Sequence, residues 1–302
     1  MPAKSHQDRL AYRLGYTSTA FSALVRIAGG VGRPAARIIG DLTGRAYAAT
    51  QPGVVDVVRK NLGLLEGRPV SSSEAAGLFS RYGQILADYL WLGSRTPVDG
   101  LRLAEIGEGV EHMKSALSKG NGIILATGHF GFFEFGALVL GQMGFPVSAV
   151  TYPEPTPALT EWRAEYRRRW GAETIRLASD AFSSLRALEA LEKGRFIAML
   201  VDRPTGDRTI DVDLPGGRIA FSMAPSILSW MSGCAVLPVD VRLTPTGKYV
   251  IRAHPPVACD RTLPRNDAIE SSARQIAGAL IEGFRADPLQ WFHFVPLTTS
   301  KP

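Results

Sequence analysis

The chain has 302 residues, 45% of them hydrophobic, enough for a substantial core in one large domain or in a domain with a helical extension. Its net charge of +6 comes without zinc-finger spacing, a ribonucleoprotein aromatic motif or a basic low-complexity tail, so no nucleic acid is expected and an anionic lipid surface or an acidic carrier suits the charge instead. Only Cys234 and Cys259 are present, which excludes a disulfide framework and a four-cysteine zinc site and fits a reducing compartment.

Residues 1–95 read as a helical N-terminal region. The apolar stretch YTSTAFSALVRIAGGVGRPAARIIGDLTG is interrupted by Arg26, Arg33, Arg37, a Gly-Gly pair and Pro34, so it falls short of the roughly 20 apolar residues of a spanning helix. Basic residues beside Phe21, Leu24, Val25, Ile27, Ile38 and Ile39 make it amphipathic. Two readings suit that pattern: a helix in the headgroup region of an anionic membrane, or a helical hairpin capping the main domain. No signal peptide with a continuous apolar core opens the chain, so export is not expected. SSSEAAGLFSRYGQILADYLWLG then supplies a serine N-cap region and an amphipathic run.

Over residues 96–302 strands and helices alternate. Predicted strands are GIILAT, PVSAVTY, TIRLA, RFIAMLVD, AVLPVDVRL and KYVIRAH. Predicted helices follow His129 and cover Thr156–Trp170, Ala181–Lys193, Ala224–Ser232 and Asp267–Arg285. The alternation predicts an α/β domain with a mixed central sheet flanked by helices. No linker rich in Pro, Gly and Ser separates it from the helical region, so the two are expected to form one integrated unit.

Chemistry is expected where GHFGFFEF, residues 128–135, leaves the strand GIILAT. In one regular helix, His129 and Glu134 would point about 140° apart. With His129 in the turn before the helix and Glu134 in its first turns, the carboxylate can fold back toward the imidazole and orient it as a base. Asp202 closes a second predicted strand, and active residues gather at strand carboxyl ends in α/β sheets. Arg163, Arg167, Arg168 and Arg169 close a helix. That cluster suits a phosphate or pyrophosphate, or a solvated helix end complementing the macrodipole. His129 has no second histidine at metal-ligand spacing, and no G-x-S-x-G elbow occurs, so neither a metal site nor a covalent hydrolase is expected. What remains is an imidazole that takes a proton from a hydroxyl attacking an activated acyl group, a step worth about 10²–10⁴ in rate. A core histidine satisfied by the backbone is the bland alternative.

In its surroundings, GIILATGHFGFFEFG resembles the H-x-x-x-x-D/E motif of glycerolipid acyltransferases, and specifically the late lipid A acyltransferases. Arg59-Lys60-Asn61-Leu62 looks like that family's basic-Asn-Leu element, and Arg167 and Arg169 before Gly171 look like its arginines. VDRPTGDRTIDVDLPGGRIAFSMAPSILSWMSGCAVLPV and DPLQWFHF are similar to its later blocks, so the resemblance spans roughly residues 20–295. It implies a glycerolipid acyltransferase-like α/β fold, His129 as general base with Glu134 as its partner, and Arg167, Arg169, Asp202 and Arg203 lining a headgroup site. It implies no cofactor beyond the co-substrate, an acyl thioester on acyl carrier protein or coenzyme A. It also implies a membrane lipid acceptor at the cytoplasmic face of the inner membrane, reached by a peripheral or N-terminally anchored protein. Phe130, Phe132, Phe133, Phe135 and Phe221 suit either an acyl channel or the core.

Two departures bear on the acceptor: Phe132-Phe133 stands where relatives carry Asn-Trp, and HFVPL replaces their basic tail. Both remove polar contacts. They leave lipid A, phosphatidylinositol mannosides, another glycolipid or a lysophospholipid open. A lipid carrier without turnover and an acyl-thioester hydrolase are the competing functions.

Overall fold

Proline, serine and glycine punctuate the N-terminal helices, α1 (Ser18–Val31), α2 (Arg33–Thr50), α3 (Pro52–Glu66) and α4 (Ser72–Gly93). Pro34 and Pro52 stand in the first turns of α2 and α3, where a missing N–H costs nothing. Gly67 ends α3 in the left-handed region, and Ser71 caps α4 by accepting the Glu74 N–H at 3.1 Å. The structure, a computed structural model, describes residues 18–118, 122–177, 182–204 and 206–297. The helical reading of residues 1–17 and the predicted helix start at Ala181 lie outside them.

The α/β part runs α5 (Pro97–Leu101), β1 (Ala104–Ile106), α6 (Val110–Ser118), β2 (Ile123–Thr127), α7 (Phe133–Gln142), β3 (Val147–Thr151), α8 (Pro157–Arg169), β4 (Glu173–Arg176), α9 (Phe182–Glu192) and β5 (Phe196–Leu200). It continues with β6 (Thr209–Leu214), β7 (Gly217–Ser222), α10 (Ala224–Ser232), β8 (Val236–Leu243), β9 (Tyr249–Ala253), α11 (Arg265–Ala286) and a 3₁₀ turn at Pro288–Gln290. Seven strands form one sheet in the order β1-β9-β8-β2-β5-β3-β4, parallel except between β8 and β9. This is the mixed, helix-flanked α/β sheet that the alternation predicts, and each of the six predicted strands contributes to it. Sequence patterning missed β1, which is only three residues long, and the separate β6–β7 hairpin, whose strands carry Asp211, Asp213 and Arg218.

β2 explains the layering. Its side chains alternate between two apolar clusters: Ile123 and Leu125 join Leu62, Leu78, Phe135 and Leu138, while Ile124 and Ala126 join Leu228, Ile276 and Leu280. A sheet covered on both faces needs a continuous apolar strand at its centre, and IILAT is one. The first cluster takes residues from α3 and α4 as well as from the α/β segment, so the N-terminal helices share its core.

Helices α2 and α4 touch backbone to backbone. A Cβ built on Gly40 would stand 2.2 Å from the Gly83 carbonyl oxygen, and one on Gly44 would stand 2.1 Å from that of Phe79. A buried carboxylate fixes the pair to the sheet. Asp88 on α4 is fully buried; it takes Arg33 of α2 at 2.8 and 2.9 Å, has Arg37 at 3.6 Å, and accepts the Tyr249 hydroxyl from β9. Arg33 and Arg37, which the sequence offers to a lipid surface, are therefore turned toward Asp88. The opposite faces of α1 and α2 leave Ile27, Ile38, Ile39 and Leu42 more than half exposed. Removing one partner of a buried ion pair strands the others, so Asp88→Ala is expected to lose about 3–5 kcal/mol of stability. Chemical denaturation would read this, with removal of the exposed Arg45 beside Asp41 as a near-neutral control.

Candidate active site

The site follows from strand register. β2 and β5 are parallel neighbours with Thr127 opposite Leu200, and the Val201 N–H donates to the Thr127 carbonyl at 2.9 Å. Two residues further along each chain stand His129 and Asp202, so the carboxyl ends of two central strands deliver an imidazole and a carboxylate to the same place.

Asp202 makes the contacts. Its Oδ1 lies 2.7 Å from His129 Nδ1, and its Oδ2 accepts the His129 backbone N–H at 2.9 Å and the Trp291 Nε1–H at 3.0 Å. The carboxylate is 1% exposed. Burial alone would push its carboxyl up; the His129 ring, through charge and hydrogen bonding, reverses this with help from His293 and Arg203 and holds it well below the usual carboxylate range. An ionised Asp202 fixes the Nδ1–H tautomer and leaves Nε2 as the basic nitrogen. The ring of Phe133 packs edge-on to the imidazole at 5.6 Å.

Glycines permit this approach. Gly131, at φ 54°, occupies a turn where an added Cβ would stand 1.8 Å from the Val241 carbonyl oxygen. On Gly128 it would strike the Phe284 ring at 2.3 Å and press on Asp202 Oδ2 at 3.1 Å. The turn GHFG thus requires glycine at both ends.

Glu134 does not take the predicted place beside the imidazole. It lies in the first turn of α7, buried, with Oε1 2.8 Å from Arg167 Nε in ion-pair contact outside hydrogen-bond alignment and Oε2 3.5 Å from Arg163. Burial would raise its carboxyl; Arg167 and Arg163 overturn that and hold it below the ordinary range. The reason for the correction is geometric: α7 begins at Phe133, so Glu134 follows the helix toward α8, while the long-range register brings Asp202 to the ring.

The arginine cluster disperses with helical angle. Arg167 is 5% exposed and also donates to Thr174 Oγ1, Arg163 reaches Glu154 at 2.6 Å and covers the Tyr89 ring, and Arg168 pairs with Glu165 in solvent. Arg169 turns away to cap α4, donating to the carbonyls of Leu92, Gly93 and Arg95. Arg203, from the Asp202 strand end, donates to the Phe292 carbonyl. Asp202 therefore meets His129 while Arg203 holds the Phe292 carbonyl of the C-terminal segment, Arg163 and Arg167 gather around Glu134, and Arg169 belongs to the frame. Phe130, Phe132, Phe135 and Phe221 are core residues. Among the described residues no cluster suited to a metal ion occurs.

A groove of about 600 Å³ opens between α1, α2 and α4, lined by Leu24, Ile39, Tyr47, Leu86 and Phe294 among others. Phe294 belongs to the segment whose Phe292 N–H donates to the His129 carbonyl at 2.7 Å, and Tyr82, also in the groove wall, packs edge-on to both phenylalanines at 5.1 Å. Sequence reading missed this groove because its walls come from three helices that are apolar on more than one side.

The sequence model for bacterial lipid A biosynthesis acyltransferases matches residues 3–298. A phosphatidylinositol mannoside acyltransferase of Mycobacterium tuberculosis is 22% identical over 259 residues, 84% of this chain and 80% of that protein. One of Mycolicibacterium smegmatis is 25% identical over 263 residues, 84% of this chain and 82% of its own length. With nearly its whole length matched, and with an imidazole and a buried carboxylate joined at the strand ends, the chain belongs to the bacterial lipid A biosynthesis acyltransferase family and is a lipid acyltransferase.

Proposed function

We propose that the protein transfers a fatty acyl chain from a thioester, carried on acyl carrier protein or coenzyme A, to a hydroxyl of a membrane glycolipid, with His129 Nε2 as the base. The observation that carries the reading is the 2.7 Å contact from Asp202 to Nδ1, which leaves the opposite ring nitrogen basic. The acceptor hydroxyl gives its proton to Nε2 as its oxygen bonds to the thioester carbonyl carbon. The C–S bond then breaks, and the leaving thiolate takes the proton back from the imidazolium. Asp202 stabilises that imidazolium while remaining ionised. Glu134 supports the step from a distance by fixing Arg167 and Arg163.

The groove between α1, α2 and α4 is in the range of a small-ligand site, about 300–1,000 Å³, and its apolar lining suits an acyl chain better than a sugar. The exposed apolar residues of α1 and α2 favour peripheral association with an anionic membrane. No helix among the described residues is long and apolar enough to cross one. The names of the relatives favour phosphatidylinositol mannosides as the first acceptor to test.

Lipid mass spectrometry of cells lacking the gene should show one glycolipid short of a single acyl chain, restored by the wild type and not by His129→Ala; an unchanged lipid profile would count against transfer. With purified protein and an acyl thioester, Asp202→Asn is expected to lower kcat by about 10²–10⁴ through the wrong tautomer. Glu134→Gln should show its main effect in thermal stability. Equal release of free fatty acid with and without acceptor would identify a hydrolase instead. Thr43→Trp, which puts bulk into the groove from an exposed position, should shift preference toward shorter acyl donors without a fall in Tm.

A further inference from the structure

The C-terminal segment from Gln290 to Leu297 crosses the carboxyl ends of β2 and β5. It bonds to both residues of the His129–Asp202 pair. Gln290 ties it to β8: its side chain accepts the Leu243 N–H at 2.8 Å and donates to the Leu243 carbonyl at 2.9 Å, as an added ladder residue would. Its own carbonyl accepts the Gly131 N–H at 2.8 Å. At the far end the buried Asn61 of α3 donates to the carbonyls of His293 and Val295, each at 2.8 Å, and accepts the Leu297 N–H at 3.3 Å. Between these two ties lies Trp291.

We infer that the Trp291 indole N–H is a positioning group for the base: it holds Asp202 Oδ2 so that Oδ1 stays on the imidazole, with Asn61 and Gln290 holding the segment that carries it. This rests on the reading of His129 as the base. A carboxylate can turn about its terminal torsion and exchange its oxygens. Here Oδ2 accepts two donors, the His129 N–H at 2.9 Å and the indole N–H at 3.0 Å, which leaves Oδ1 for Nδ1 at 2.7 Å. The indole itself has little freedom. It is 1% exposed and stacked on Phe284 at 5.3 Å and 14°, and Phe284 in turn stacks on Phe130 at 5.6 Å.

The charged and titratable groups facing Asp202 are His129 from the β2 turn, His293 from the same segment as Trp291, and Arg203 from its own strand end, with Tyr82 of α4 beyond Arg203. Trp291 is the neutral member of this set. Taking away its N–H alters hydrogen bonding without altering net charge. The carboxylate would then keep more negative charge for the imidazolium and hold the ring less firmly, which makes the base stronger and worse aimed.

Trp291→Phe keeps an aromatic ring against Phe284 and removes the donor together with the five-membered ring, and the effect of that lost packing is read by the Phe284 variant. The Trp291→Phe acid limb in kcat/KM against pH should move up by about 0.5–1 unit, and kcat should fall about tenfold with KM for the thioester unchanged. Phe284→Leu loosens the stack and leaves the N–H in place; it should lower Tm with the limb unmoved. A Trp291→Phe limb that stays in place, or one that Phe284→Leu moves equally, overturns the inference. A readout without substrate or mutation is the indole ¹⁵N–¹H resonance of Trp291 in the wild type. It should titrate with the same midpoint as the His129 ring, and no response through that titration would overturn the inference even if Trp291→Phe fails to fold. If the wild type transfers no acyl group, the proposed function fails while the resonance still decides the positioning role.

Discussion

One buried carboxylate organises this molecule. Asp202 is closed off from water, faces His129, and accepts hydrogen bonds from a strand-end turn and from the C-terminal segment. An ionised group in such a place is tolerable only when donors and cations surround it. Here they come from four separate stretches of chain: the β2 turn, the end of β5, the segment after α11, and Asn61 of α3 through its hold on that segment. The carboxylate is thus held by groups that also tie these stretches of chain to one another.

A second buried carboxylate does comparable work for the N-terminal helices. Asp88 joins α2, α4 and β9, while glycines let α2 and α4 approach until their backbones meet. Arg33 and Arg37 are drawn in by this charge, and the outer faces keep isoleucine and leucine in their place. The result is an apolar groove whose wall includes Phe294, two residues beyond the one bonded to the turn that carries His129. The apolar groove and the His129–Asp202 pair are thus neighbours along one short piece of backbone.

Glu134 and Asp202 illustrate how the same residue type takes different tasks by position. Glu134 is five residues from His129 and was the natural candidate to orient it, because sequence reasoning sees short separations first. Helix geometry carries it the other way, into an ion pair with Arg167 and Arg163 that braces α8 against α7. The orienting carboxylate comes from 73 residues away. DPLQWFHF was visible as a resemblance, but its physical role was not, since Gln290, Trp291 and His293 act on partners in β8, just beyond β5 and in α3.

The sequence by itself determined the α/β alternation, the buried central strand, the glycine-bounded turn that exposes His129, the serine cap of α4 and the family resemblance. All of these are local: apolar periodicity, capping chemistry and motif composition act within a few residues. Only the tertiary structure decided which carboxylate meets the imidazole, where each arginine of the α8 cluster points, and that Asn61 and Trp291 serve the same site. Those outcomes depend on β2–β5 register, on the angle at which each helix leaves its strand, and on burial that makes an unpaired charge too costly to leave. None of these is written in any short stretch of chain.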